Sequence, residues 1–120
     1  MRVLIVESHF ELGCLWERAL QRNGADVCFA RSQPEAVKAL MQDDFDIIAL
    51  DLVLKNGSAF DISDFANYRR PKARVVFVTN TSFFSDGSIF QHCSNACAYL
   101  QSETPPDDLV AMVEQYAERA

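Results

Sequence analysis

Short apolar runs alternate with longer amphipathic stretches along the whole chain. Val3–Val6, Val27–Ala30, Ile47–Leu50, Val75–Val78 and Ala98–Leu100 are brief, bounded by polar or turn residues, and mostly β-branched or aromatic. That is the pattern of strands buried on both faces. Between them apolar positions recur at helical spacing: Leu12, Leu15, Trp16, Ala19 and Leu20, then Ala36, Val37 and Leu40, and last Leu109, Met112, Val113 and Tyr116. Ser8, Ser32, Ser58 and Thr104 each precede an acid by three residues, which predicts an N-cap at each. Pro34, Pro105 and Pro106 fall in first turns, and Gly24 stands where the first helix should stop.

Repeated strand–helix alternation predicts parallel strands joined by right-handed crossovers, with helices covering both faces. The fold class is therefore α/β, a doubly wound parallel sheet of five strands. In such a sheet chemistry collects at the carboxyl ends of the strands. The residues to read are Glu7 and Ser8, Asp51, Thr79 and Asn80, and Ser102.

Composition narrows the class of partner. With 120 residues, the chain is expected to form one domain with a core that needs no disulfide, metal or other cofactor to fold. Eleven per cent aromatic residues and only four Gly and four Pro exclude disorder and fibrous structure. Lys plus Arg number 11 against 17 Asp plus Glu, a net charge of -6. That balance argues against direct binding to nucleic acid or to an anionic membrane. The first apolar run ends at Glu7, too short for a signal peptide or a membrane span, so a cytoplasmic location is expected. The four cysteines are scattered and read as thiols, with Cys14 and Cys28 as small buried residues. His92, Cys93 and Cys97 lack a second ligand pair, which argues against zinc.

Asp51 closes the run IIAL, where a carboxylate can ligate a metal, act as a base or accept a phosphoryl group. A solvated strand-end acid is the plain alternative. Glu7 should lie beside it if the first and third strands are neighbours, and two adjacent carboxylates need a cation, a proton or a hydrogen bond. The Thr79 hydroxyl could bind a phosphoryl oxygen, or Thr79 could simply favour a strand. Trp16 belongs to the apolar side of the first helix, and His9 is an exposed neighbour of the site.

The segments LIVES at Leu4–Ser8, IIALDLVLKNGSAFD at Ile47–Asp61, VVFVT at Val75–Thr79 and AYLQSETPPDDL at Ala98–Leu109 are collinear with the receiver domain of bacterial two-component response regulators, which the chain resembles over essentially its whole length. The resemblance implies a flavodoxin-like sheet of order 2-1-3-4-5 with five helices, and a partner that is a histidine kinase or phosphotransfer protein. It assigns Asp51 as phospho-acceptor, Glu7, Asp51 and the Val53 carbonyl as magnesium ligands, and Thr79 and Tyr99 as the switch pair.

The departures from that pattern are equally specific. The second acid after the first strand is replaced by Ser8. The lysine and proline after the fifth strand are replaced by Ser102 and Glu103, Lys55 stands for a common proline, and Ala59 for a common glycine. Magnesium binding should weaken with one anionic ligand fewer, and Ser102 offers a phosphoryl group only a neutral hydrogen bond. One of the two remaining carboxylates should have a raised pKa.

The expected function is that of an atypical receiver whose phosphorylation at Asp51 is degenerate or altered, not an enzyme, acting by contact with another signalling protein. A competent receiver using Glu7, Asp51, Thr79 and magnesium is the alternative. A small enzyme or redox module on the same fold is disfavoured by the lack of a phosphate-binding glycine loop or a nucleophile–base pair. Phe83, Phe84, Ile89 and Phe90 form an unusually aromatic stretch, read either as a partner or homodimer contact or as a repacked core. A chain of this length is expected to leave no room for an output domain, so output should come from its own surface.

Overall fold

In the computed structural model of the chain, residues 1–79 and 95–118 are described. The elements run β1 (Arg2–Val6), α1 (Phe10–Arg22), β2 (Asp26–Ala30), α2 (Gln33–Gln42), β3 (Ile47–Asp51), α3 (Ala59–Arg69), β4 (Arg74–Thr79), β5 (Ala96–Gln101) and α4 (Pro106–Glu118). All four strand pairings are parallel, and the order is β2-β1-β3-β4-β5. This is the predicted sheet. Four helices fall among the described residues. The helix expected between β4 and β5 lies outside them, as do Asn80, Phe83, Phe84, Ile89, Phe90, His92 and Cys93.

Both faces of the sheet are covered, so its strands are apolar throughout rather than alternating. Leu4 and Val6 point into a core shared with Leu40 of α2 and with Ile62 and Ala66 of α3. Val3 and Ile5 point the other way, into a core shared with Trp16 and Leu20 of α1 and with Leu109 and Val113 of α4. Each fully buried side chain of this size contributes about 2 kcal/mol relative to exposure. Leu15, expected on the apolar side of α1, is instead exposed, because the stripe that meets the sheet is Trp16, Ala19 and Leu20.

Two predicted caps form. Ser32 Oγ accepts the Glu35 N–H at 3.4 Å and donates to Glu35 Oε2 at 3.2 Å, and Ser58 Oγ accepts the Asp61 N–H at 3.4 Å. Two do not. The N-cap of α1 is His9, because Ser8 is engaged elsewhere, and α4 begins only at Pro106, two residues past Thr104. Gly24 follows the α1 C-cap Asn23 with φ of 89°, and the Ala25 N–H closes back on the Leu20 carbonyl at 3.1 Å. Cys14 and Cys28 are half-buried rather than buried.

Cys97 lies within β5 rather than on the approach to it. The pairing of β4 with β5 slips between Val75 and Val76, so that Ala96 and Ala98 face consecutive residues and Cys97 is the extra one. This bulge puts Cys97 and Ala98 on the same face and sends Tyr99 to the opposite one, against the core that holds Phe77.

Gly13 sits inside α1, where glycine costs about 1 kcal/mol against alanine. The ring of Phe29 occupies the space a Cβ would fill. That ring is itself stacked on Phe10 at 6.1 Å between centroids, and the Arg31 guanidinium lies 4.9 Å from the centre of the Phe10 ring. Gly13→Ala is expected to destabilise the protein by about 1–3 kcal/mol through overpacking, outweighing the propensity gain. Pairing it with Phe29→Leu should recover part of that loss in urea denaturation. A more stable Gly13→Ala protein would refute the packing account.

Candidate functional site

Parallel pairing continues one residue past several strands and fixes their carboxyl ends. The N–H of Glu7 donates to the Ala30 carbonyl at 3.1 Å, that of Leu52 to Val78 at 2.9 Å, and that of Ser102 to Thr79 at 2.7 Å. Since β1 and β3 are neighbours, Glu7 and Asp51 stand side by side, as their positions predicted. Both are buried, as is Thr79 at the end of β4.

Each carboxyl group accepts an N–H from two residues further along. Asp51 Oδ1 takes the Val53 N–H at 2.9 Å, and Glu7 Oε1 takes the His9 N–H at 2.9 Å. Glu7 Oε2 is buried and has no hydrogen-bond partner as an acceptor. A proton on that oxygen turns it into a donor facing Asp51. Burial, reinforced by the adjoining Asp51 carboxyl, pushes the Glu7 carboxyl up to about 8, against the pull of the His9 and Ser8 N–H groups.

Ser8 holds the neighbouring loop instead of capping α1. Its Oγ accepts the Lys55 N–H at 2.9 Å, across 47 residues of sequence. The same loop is fastened on its other side to the start of α2. The Gln33 N–H donates to the Asn56 carbonyl at 3.1 Å, and Gln33 Oε1 accepts the Ser58 N–H at 2.8 Å. Gly57, with φ of 121°, leaves the space into which the Gln33 side chain packs.

Above Asp51 opens a cleft of about 400 Å³, lined by Ser8, His9, Leu12, Asp51, Val53, Leu54, Lys55 and Ser102. It brings together Ser8, Asp51, Val53 and Ser102 from the predicted set. Glu103 is exposed beyond it, and Tyr99 is half-buried on the α2/α3 side of the sheet. Lys55 was noticed in the sequence only as a replaced proline, yet it carries a cation at the cleft. Its signal was available in the short spacing from Asp51.

Magnesium fits this donor set poorly. Two carboxyl groups are present, one of them protonated up to about pH 8, and the place of a third acid is taken by Ser8, already bonded to Lys55. Among the described residues no group of three His, Cys, Asp or Glu side chains could hold a metal ion. Burial pushes the Cys97 thiol up to about 11, away from the thiolate that redox chemistry needs.

No protein-family model matches the chain. Two proteins of Pseudomonas aeruginosa share its sequence. The alginate biosynthesis transcriptional regulatory protein AlgB is 30% identical over 108 residues, covering 90% of this chain and 24% of AlgB. The response regulator protein PilR is 31% identical over 78 residues, covering 65% of this chain and 18% of PilR. The chain thus spans less than a quarter of the length of these two relatives. A CheY-like response regulator receiver domain protein of Methanospirillum hungatei matches the fold with a TM-score of 0.89 at 19% identity, covering 98% of this chain and 94% of that one. Fold and sequence together define a receiver domain of the response regulator class, the two-component signalling module. Among the described residues no helix is long and apolar enough to cross a membrane.

The raised Glu7 pKa links stability to pH. Between about 4.5, the ordinary value, and about 8, the folded chain holds a proton that the unfolded chain has released. The contribution of this group is therefore complete below the lower value, falls as pH rises through the window, and is lost above the upper one. In metal-free buffer Glu7→Gln should flatten that decline, as read from urea midpoints at a series of pH values. Equal slopes in the two proteins would exclude the protonated carboxyl.

Proposed function

We propose that this receiver domain signals by protein contact with phosphorylation at Asp51 degenerate or strongly attenuated, its fellow component being a histidine kinase, a phosphotransfer protein or another signalling protein in the cytoplasm. The observation that supports this reading best is the Ser8–Lys55 hydrogen bond of 2.9 Å. The side chain at the position of the second family acid is a neutral group committed to holding a loop. Metal affinity is therefore weak, and the charge that builds on a transferring phosphoryl group lacks its usual compensation. Asp51 remains the acceptor in any residual transfer, with Thr79 and Tyr99 as the groups that would respond.

A competent receiver is the second reading, favoured by Lys55. Its position on the cleft lets it supply the cation that Ser102 does not. Here Glu7, Asp51 and the Val53 carbonyl would hold magnesium.

Incubation with a small-molecule phosphodonor and magnesium, followed by intact-mass measurement, separates the two. The attenuated reading expects at most a substoichiometric gain, and Ser8→Asp should tighten magnesium binding roughly tenfold by restoring an anionic ligand. A stoichiometric gain that disappears in Asp51→Asn and in Lys55→Ala would establish the competent receiver instead.

A further inference from the structure

Cations in this acidic chain are unevenly placed. Four of its 11 fall within residues 69–74, as Arg69, Arg70, Lys72 and Arg74, in the turn from α3 into β4. Arg2, at the start of β1, stands beside them. Two clefts adjoin at Pro71, Lys72 and Ala73, one of about 460 Å³ and one of about 520 Å³. Their chemistry differs.

In the first, Arg2 pairs with Asp43 at 3.0 Å and Arg70 with Asp44 at 2.8 Å. Arg70 also donates to the Leu40 carbonyl at 2.9 Å, and Arg69 to that of Met41 at 3.2 Å, closing the last turn of α2. With the charges balanced, what remains is an apolar floor of Phe45, Pro71 and Ala73. The second cleft is lined by Asn67, Lys72, Arg74, Asn95, Cys97 and Tyr116 besides Pro71, Ala73 and Ala96. None of these is a carboxylate, whereas Asp44 and Asp46 line the first cleft and Asp51 lines the cleft described above.

We propose that this continuous groove docks an acidic peptide segment of a partner protein that carries an apolar side chain a few residues from its carboxylates. The carboxylates lie against Lys72 and Arg74, and the apolar side chain lies on the Phe45–Pro71–Ala73 floor. The groove crosses the amino ends of β1, β3, β4 and β5, a span of about 15 Å at ordinary strand spacing, which is the reach of about five extended residues. Asp43, Asp44 and Asp46 on its flank repel a continuous phosphate backbone, so a peptide fits better than a nucleic acid. The groove is at the end of the strands opposite Asp51, about 17 Å away for strands of this length. Docking there does not depend on how Asp51 handles phosphate.

A fluorescein-labelled peptide of alternating Glu and Leu tests the groove by anisotropy, beside the same peptide with Ser in place of Leu and an oligothymidylate of equal charge. The Glu/Leu peptide should bind the wild type, weaken as salt is added, and weaken roughly tenfold in Lys72→Glu. Lys72→Gln should show a smaller loss and Lys72→Arg none, with the thermal melt unchanged because Lys72 is exposed. Amide shifts should cluster in residues 41–46, 69–74 and 95–97. The proposal fails if the peptide does not bind, if Lys72→Glu leaves binding unchanged, if Ser for Leu costs nothing, or if the oligothymidylate binds more tightly. Concentration-dependent self-association that Lys72→Glu abolishes, without peptide binding, would assign the groove to a second copy and overturn it too.

Discussion

A parallel sheet packed on both faces has no solvated side on which to place polar residues. Every inward position of β1, β3 and β4 is apolar in consequence, and polar chemistry is confined to the strand ends. Glu7, Asp51 and Thr79 are each the first polar side chain met after, or at, the close of a buried strand. Because β1 and β3 adjoin while β2 and β5 lie outside them, the two acids cannot avoid each other. The electrostatic problem of the site is thus a product of topology. The same confinement operates at the other pole, where the cations of the α3–β4 turn meet Arg2.

How the acid pair is accommodated distinguishes this chain from the receiver pattern it resembles. Only one oxygen of Glu7 receives a backbone donor, and the other is best satisfied by a proton aimed at Asp51. A cation of high charge density would compete with that proton, but the side chain that would help recruit it has become Ser8. What the serine offers in exchange is mechanical, a neutral hydrogen bond worth about 1 kcal/mol that joins two loops far apart in sequence.

The strands and their order were legible because uninterrupted β-branched runs cannot be read as anything but buried strands when helical segments alternate with them. Asp51, Glu7 and Ser102 were legible for the same reason, being strand-end residues. What escaped was set by contacts between distant segments. Nothing local in Ser8-Glu11 distinguishes a cap from a hydroxyl held by Lys55, and nothing around Gly13 announces the Phe29 ring. The bulge at Cys97 shifts side-chain alternation by one residue, which a short apolar run does not reveal. Charge misled in a different way. A total of -6 describes the molecule from a distance, while the concentration at 69–74 governs what can touch it.

The loop after Asp51 is fastened at both ends of its length, by Ser8 to the first connection and by Gln33 to the second helix, with Gly57 closed against the Gln33 side chain. Such a segment has no slack. It cannot gain or lose a residue without undoing one fastening, and a side chain acquired at position 57 has to be answered by a smaller one at position 33. Ser8, Gln33 and Gly57, scattered over 50 positions of the gene product, therefore form one unit of inheritance, and sequence drift in this lineage should carry them together or not at all.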